Sequence, residues 1–220
     1  MIARELINDS YPPLKPSDSG LKALKWMENF KLEQIPIVDG VKYIGLITEE
    51  DVLKLNSLEQ PMANQSLILI QTSANGNQPI FQVVKIMSTD GLSVVPVVDD
   101  EKNYLGLVTL GDVMRYYRDS GVFEDANGVI VLEMKPHEYS LSKIAHLVEA
   151  EDARILSSYV TPDPAHEDIT VTLKISQADL TRILASFNRF GYFVKEHYNQ
   201  GELMDDLKSR YDSLIKYLDI

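Results

Sequence analysis

The stretch IPIVDGVKYIGLITEED, residues 35–51, returns as VPVVDDEKNYLGLVTLGD, residues 95–112. A chain built from two copies of one unit has few folds open to it, because each copy must find a partner for its apolar faces. Ile35 aligns with Val95 at an offset of 60, and Gly45 aligns with Gly106 at 61, so one residue has entered the intervening turn, GVKY in one copy and DEKNY in the other. Short turns tolerate such changes. Each copy reads as an amphipathic helix (SGLKALKWMENF; PIFQVVKIMSTDG), an apolar strand, a polar turn, a second apolar strand (YIGLIT; YLGLVT) and another helix. The unbroken apolar runs predict strands covered on both faces. Pro36 and Pro96 are expected at the heads of their strands, where a missing N–H does least harm.

Thr48 and Thr109 each follow a strand and precede a helical pattern, with Asp51 and Asp112 three residues on. One reading is helix punctuation: the hydroxyl accepts the N–H of the third helical residue, and the acid suits the positive end of the helix. The other is a ligand corner. Gly45 and Gly106 would let a planar ligand approach the backbone, a carboxylate at such a turn accepts both hydroxyls of a ribose cis-diol, and the helix N-terminus offers donors to a phosphate. Two such corners facing one another would make a nucleotide cleft. The corners differ in charge. Glu49 and Glu50 separate Thr48 from Asp51, whereas Leu110 and Gly111 separate Thr109 from Asp112, with Arg115 and Arg118 beyond. Like charges at this range cost about 1 kcal/mol or more, so a nucleotide phosphate is expected at the second corner.

Composition narrows the function. With 45% apolar and 25% charged residues over 220, the chain is ordinary globular protein. A formal charge of -12 repels phosphodiester backbones and argues against nucleic acid as a partner. The absence of cysteine removes disulfides, thiolate metal sites and cysteine nucleophiles. No apolar run approaches the roughly 20 residues that span a bilayer, and no signal-peptide pattern is present, so a cytoplasmic protein without membrane attachment is expected.

Residues 1 to about 118 resemble a tandem pair of CBS (cystathionine-β-synthase-type) domains, through IPIVDGVKYIGLITEEDVLKL and VPVVDDEKNYLGLVTLGDVMRYY. The resemblance implies a non-catalytic regulatory module that binds an adenine nucleotide (AMP, ADP, ATP or an S-adenosyl compound). Its ligand-binding residues would be Thr109, Asp112, Gly106, Pro96 and Arg115, with Thr48, Asp51, Gly45 and Pro36 in the first copy. The segment YPPLKPSD departs from the family at the entry to the first copy, where an apolar strand is usual.

Beyond RDSGVFEDANG the pattern changes. GVIVLEM reads as a strand, SLSKIAHLVEAEDA as a helix, RILSSYVT and DITVTLKI as strands, QADLTRILASFNRFG as a helix and YFVKEHY as a last strand. The order βαββαβ is the ferredoxin-like arrangement, and residues 127–199 resemble an ACT domain. ACT domains bind amino acids at a glycine-containing turn; here that turn is KPHEYSL, without glycine, and dimerisation is the expected role. The fold class is α+β: CBS domains at 1–62 and 63–120, a linker at 121–127, an ACT-like domain at 128–200 and a C-terminal helix at 201–220. That helix spaces Leu203, Leu207, Tyr211, Leu214 and Leu218 along one face, open to a dimer seam or to packing on its own domain. The order CBS, CBS, ACT also resembles the acetoin-utilisation (AcuB-type) proteins, which implies a regulator of carbon metabolism with a metabolic enzyme as partner.

The four histidines, His137, His146, His166 and His197, are scattered, and no nucleophile elbow, phosphate loop or dinucleotide fingerprint occurs. Two functions remain: a sensor that binds an adenosine-type ligand and acts as a homodimer, or an oligomerisation scaffold with vestigial clefts.

Overall fold

The computed structural model describes residues 1–120, 128–163 and 167–199, and the chain divides into two units, Met1–Asp119 and Ser120–Ile220. The linker 121–127, His166 and the segment 200–220, including the expected C-terminal helix, lie outside the described residues.

In the first unit the duplication is visible element by element. Helix α1 (Gly20–Phe30) begins where Ser19 accepts the N–H of Lys22, and ends where Lys31 turns left-handed (φ 56°) and returns its N–H to Met27. Helix α3 (Ile80–Asp90) ends the same way at Gly91 (φ 64°). Ala23 and Met27 of α1, and Val83 and Met87 of α3, face inward. Strands β1 (Gln34–Asp39) and β2 (Lys42–Thr48) form an antiparallel hairpin, as do β4 (Val94–Val98) and β5 (Tyr104–Thr109). Their registers break at equivalent places, Ile37/Val38 and Val97/Val98. Short α2 (Glu49–Leu53) and longer α4 (Leu110–Asp119) follow.

The prolines are not at the strand heads: Pro36 and Pro96 are each the third residue of their strand. Groups on one residue of a strand face one edge, and the Pro36 carbonyl accepts the N–H of Leu14 at 2.8 Å. The proline nitrogen therefore lies on the edge where pairing is a single parallel bridge, Leu14 to Ile37, and no ladder bond is lost. That bridge is all the edge strand YPPLKPSD provides, whereas β3 (Ala74–Asn75) fills the place in the second repeat.

The repeats join about a pseudo-two-fold axis. Tyr104 donates its N–H to Val41 O at 2.7 Å and Tyr43 donates to Lys102 O at 3.2 Å. The buried Gln34 accepts from Ser93 N (3.2 Å) and Ser93 Oγ (2.8 Å). Leu92, Val94 and Leu107 of the second repeat share one core with Leu14, Met27, Ile35 and Leu46. Each repeat is completed by the segment preceding the other. The 3-10 turn Ala3–Leu6 buries Ala3 and Leu6 in the second repeat's core, and Asn8 then bridges Leu107. On the first repeat, Ile70 bridges Leu46.

The second unit contains β6 (Gly128–Met134), α5 (Leu141–Glu149), β7 (Ile155–Pro162), β8 (Ile169–Ile175), α6 (Thr181–Arg189) and β9 (Phe193–Asn199), with sheet order β7-β8-β6-β9. Every pairing is antiparallel, so the βαββαβ order gives the ferredoxin-like sheet. Burial alternates along β6 and β8, and their inward residues meet Ile144, Leu147 and Val148 of α5 and Ile183 and Phe187 of α6.

Candidate functional site

Both threonines cap their helices. Asp51 N donates to Thr48 Oγ1 at 3.1 Å, and Asp112 N to Thr109 Oγ1 at 3.2 Å. The hydroxyl proton of each then goes to its own aspartate, at 2.7 Å for Thr48 to Asp51 Oδ2 and 2.6 Å for Thr109 to Asp112 Oδ2. Helix punctuation and the orienting of a carboxylate are one arrangement.

The second corner is the more enclosed. Asp112 is 5% exposed and Thr109 8%. Asp112 Oδ2 also accepts the Thr109 N–H at 2.9 Å, while Oδ1 accepts Asn8 Nδ2 and Arg115 Nη1, each at 2.9 Å. Burial pushes this carboxyl up, but the bonds from Thr109, Asn8 and Arg115 outweigh it and hold it below the ordinary range. At the first corner Asp51 Oδ1 has Lys54 Nζ at 3.9 Å, and its side chain is 19% exposed.

A cavity of about 640 Å3 borders Asp112, lined among others by Glu5, Asn8, Asp9, Arg115, Tyr116 and Asp119. No residue of the first corner lines it, so the expected shared crevice does not form there. The approach to the glycines is also taken: Ile7 lies against Gly106, and Leu69 Cβ is 2.8 Å from where a Cβ on Gly45 would stand. Pro36 and Pro96 pair across their hairpins with Leu46 and Leu107. Arg115 is bound to Asp112 and Arg118 to Asp119, at 2.8 Å from Nη2, so the cations expected to meet a phosphate are paired with carboxylates.

Ile7 and Asn8 did not emerge from the repeat alignment, because INDS shares no pattern with the LILI that covers the first repeat. Arg115 beside Asp112 follows from i,i+3 spacing on a helix.

In the second unit a cavity of about 630 Å3 is lined in part by Glu138, Lys143, His146, Phe190, Tyr192 and Phe193. Among the described residues no group of three or more His, Asp or Glu is placed to hold a metal, and no helix is long and apolar enough to cross a membrane.

The family model "CBS domain" matches residues 3–57 and 72–119. An inosine-5'-monophosphate dehydrogenase of Methanocaldococcus jannaschii is 23% identical over 154 residues, 68% of this chain and 30% of that enzyme. The chain thus matches under a third of that relative. A CBS domain pair/ACT domain protein from Thermotoga maritima is 20% identical, with 55% of this chain and 98% of that chain covered at a TM-score of 0.49. The CBS domain pair of the protein MJ0100, solved with 5-methylthioadenosine and S-adenosyl-L-methionine, is 27% identical, with 54% and 97% covered at a TM-score of 0.42.

Proposed function

Residues 3–57 and 72–119 are a tandem pair of CBS domains, and on that premise we propose that the protein is a non-catalytic sensor of an adenosine-type ligand held at Thr109 and Asp112. The observation that carries this reading is the buried Asp112 carboxylate, fixed by Thr109 at a helix start on the wall of a cavity of about 640 Å3. A carboxylate so held is an acceptor for the two hydroxyls of a ribose. Thr48 and Asp51 are the corresponding but more exposed place in the first repeat.

The cavity's charge refines the ligand. Among the side chains that line it, Glu5, Asp9, Asp112 and Asp119 are acidic and Arg115 is basic, with Met1 also at the wall and Arg118 paired to Asp119. The excess of acidic side chains disfavours a triphosphate, and favours an adenosine with little negative charge or with the cationic chain of an S-adenosyl compound. Ligand entry would alter the contacts between the two repeats, and a homodimeric assembly or a metabolic enzyme would read that change.

A scaffold function is the second reading, favoured by the four hydrogen bonds Asp112 already receives. Thermal unfolding with adenosine, AMP, ADP, ATP and S-adenosylmethionine separates the two. A ligand at 100 times its dissociation constant adds about 2.7 kcal/mol of stability. A shift with adenosine or S-adenosylmethionine that Asp112→Ala abolishes supports the sensor; no shift with any of the five supports the scaffold.

A further inference from the structure

The two corners are copies, but what lies over them differs. Ile70 and Asn8 hold equivalent places, since each bridges the residue after the corner glycine, Leu46 in one repeat and Leu107 in the other. Ile70 has no polar side chain to offer Asp51. Asn8 has one, and it is aimed: Asn8 Oδ1 accepts the N–H of Ser10 at 3.1 Å, which leaves Nδ2 to donate to Asp112 Oδ1 at 2.9 Å.

A second difference accompanies the first. Tyr43 and Tyr104 are equivalent, two residues before the corner glycines. The Tyr43 hydroxyl lies 2.9 Å from Thr72 O and 3.2 Å from Ile70 O, so it is bound to the covering segment. The Tyr104 hydroxyl is buried and has no hydrogen-bond partner among the described residues. By the internal symmetry its partners would be the carbonyls of Asn8 and Ser10. In the second repeat the covering segment is held by Asp112, and the phenol that should hold it is left without a bond, a costly state for a buried hydroxyl.

We propose that Asn8 determines whether the second crevice accepts a ligand: its side-chain amide occupies the acceptor a ribose hydroxyl would use, and the crevice opens when Asn8 leaves Asp112 and Tyr104 takes a carbonyl of residues 8–10. The first repeat displays that second arrangement. Within the protein the exchange loses no hydrogen bond in total, because Asn8 gives up Asp112 while Tyr104 gains a partner it lacked, and the ligand's hydroxyl takes the amide's place on Asp112. The ligand's identity rests on the adenosine reading above; the exchange between Asp112 and Tyr104 does not.

Binding is measured by equilibrium titration with adenosine, and the exchange by hydrogen exchange and side-chain amide NMR on ligand-free protein. Asn8→Ile, which installs the first repeat's residue, and the milder Asn8→Ala both bind adenosine about tenfold more tightly than the parent. Tyr104→Phe binds it more weakly, yet unfolds at higher temperature because an unsatisfied buried hydroxyl is gone; Tyr43→Phe unfolds at lower temperature. Without ligand, Asp112→Ala shifts the Asn8 side-chain amide signals to solvent-exposed positions and speeds exchange of the Asn8 N–H about tenfold, leaving Ile70 unchanged. Unaltered adenosine affinity in both Asn8 variants, beside measurable binding, overturns the proposal and leaves the adenosine reading standing. Should adenosine bind to no variant, that reading fails. The exchange is then decided by the Asp112→Ala spectra and the two tyrosine variants, with an unmoved Asn8 amide or a destabilised Tyr104→Phe overturning it.

Discussion

Ile7 lies so close over Gly106 that a Cβ there would overlap its Cγ2 methyl, and Gly106 itself has φ 156°. The glycine is thus needed for the chain's own covering segment, whatever a ligand requires. Gly106→Ala must push residues 7 and 8 away from β5, and overpacking of this kind costs about 1–3 kcal/mol. Urea denaturation is expected to show that loss; an unchanged midpoint would mean that the segment yields freely.

Acid should weaken the second corner in a defined direction. The Asp112 carboxyl titrates below its ordinary value, so the stability it contributes is present above the unfolded-state value near pH 3.9 and is lost as pH falls through the lower folded value. The stability difference between the parent and Asp112→Asn should therefore be constant from pH 7 to about pH 5 and shrink below pH 4. A difference that grows on acidification would reverse the sign and contradict the bonding described.

Gln34 ties the two repeats by accepting both the N–H and the hydroxyl of Ser93. Gln34→Leu keeps the volume but leaves those donors without their acceptor, at a cost of about 1–3 kcal/mol. Addition of Ser93→Ala should recover part of it, read from a double-mutant cycle by chemical denaturation. Strict additivity would show that the two side chains do not act as a pair.

Phe187 is fully buried in the second unit, edge-on to Tyr192 at 5.6 Å between centroids. Phe187→Ala should destabilise that unit by about 3–5 kcal/mol. Amide exchange is expected to accelerate across β6 and β8 while Val95 and Val108 keep their protection; equal loss in both units would show that they unfold together.

The duplicated unit was legible because its strands and helix starts repeat in residue type as well as spacing, and the ferredoxin-like order followed from alternation along GVIVLEM and DITVTLKI. What pairs through the backbone was not legible. Leu14 forms its bridge through N–H and C=O groups, which any residue carries, and Ile7–Asn8 and Leu69–Ile70 cover equivalent strands without sharing a side-chain pattern. The mid-strand position of Pro36 depends on which edge lacks a neighbour, a tertiary fact. The charge of Arg115 suggests a phosphate partner, whereas in the structure Asp112, one helical turn away, binds it.

The central claim is that the carboxylate of Asp112 receives a ribose. Titration calorimetry with adenosine tests it on the parent, Asp112→Ala, Asp112→Asn and Asp51→Ala. Binding that disappears in both Asp112 variants and persists in Asp51→Ala is the predicted result; binding that survives the loss of Asp112, or that vanishes only with Asp51, would contradict it.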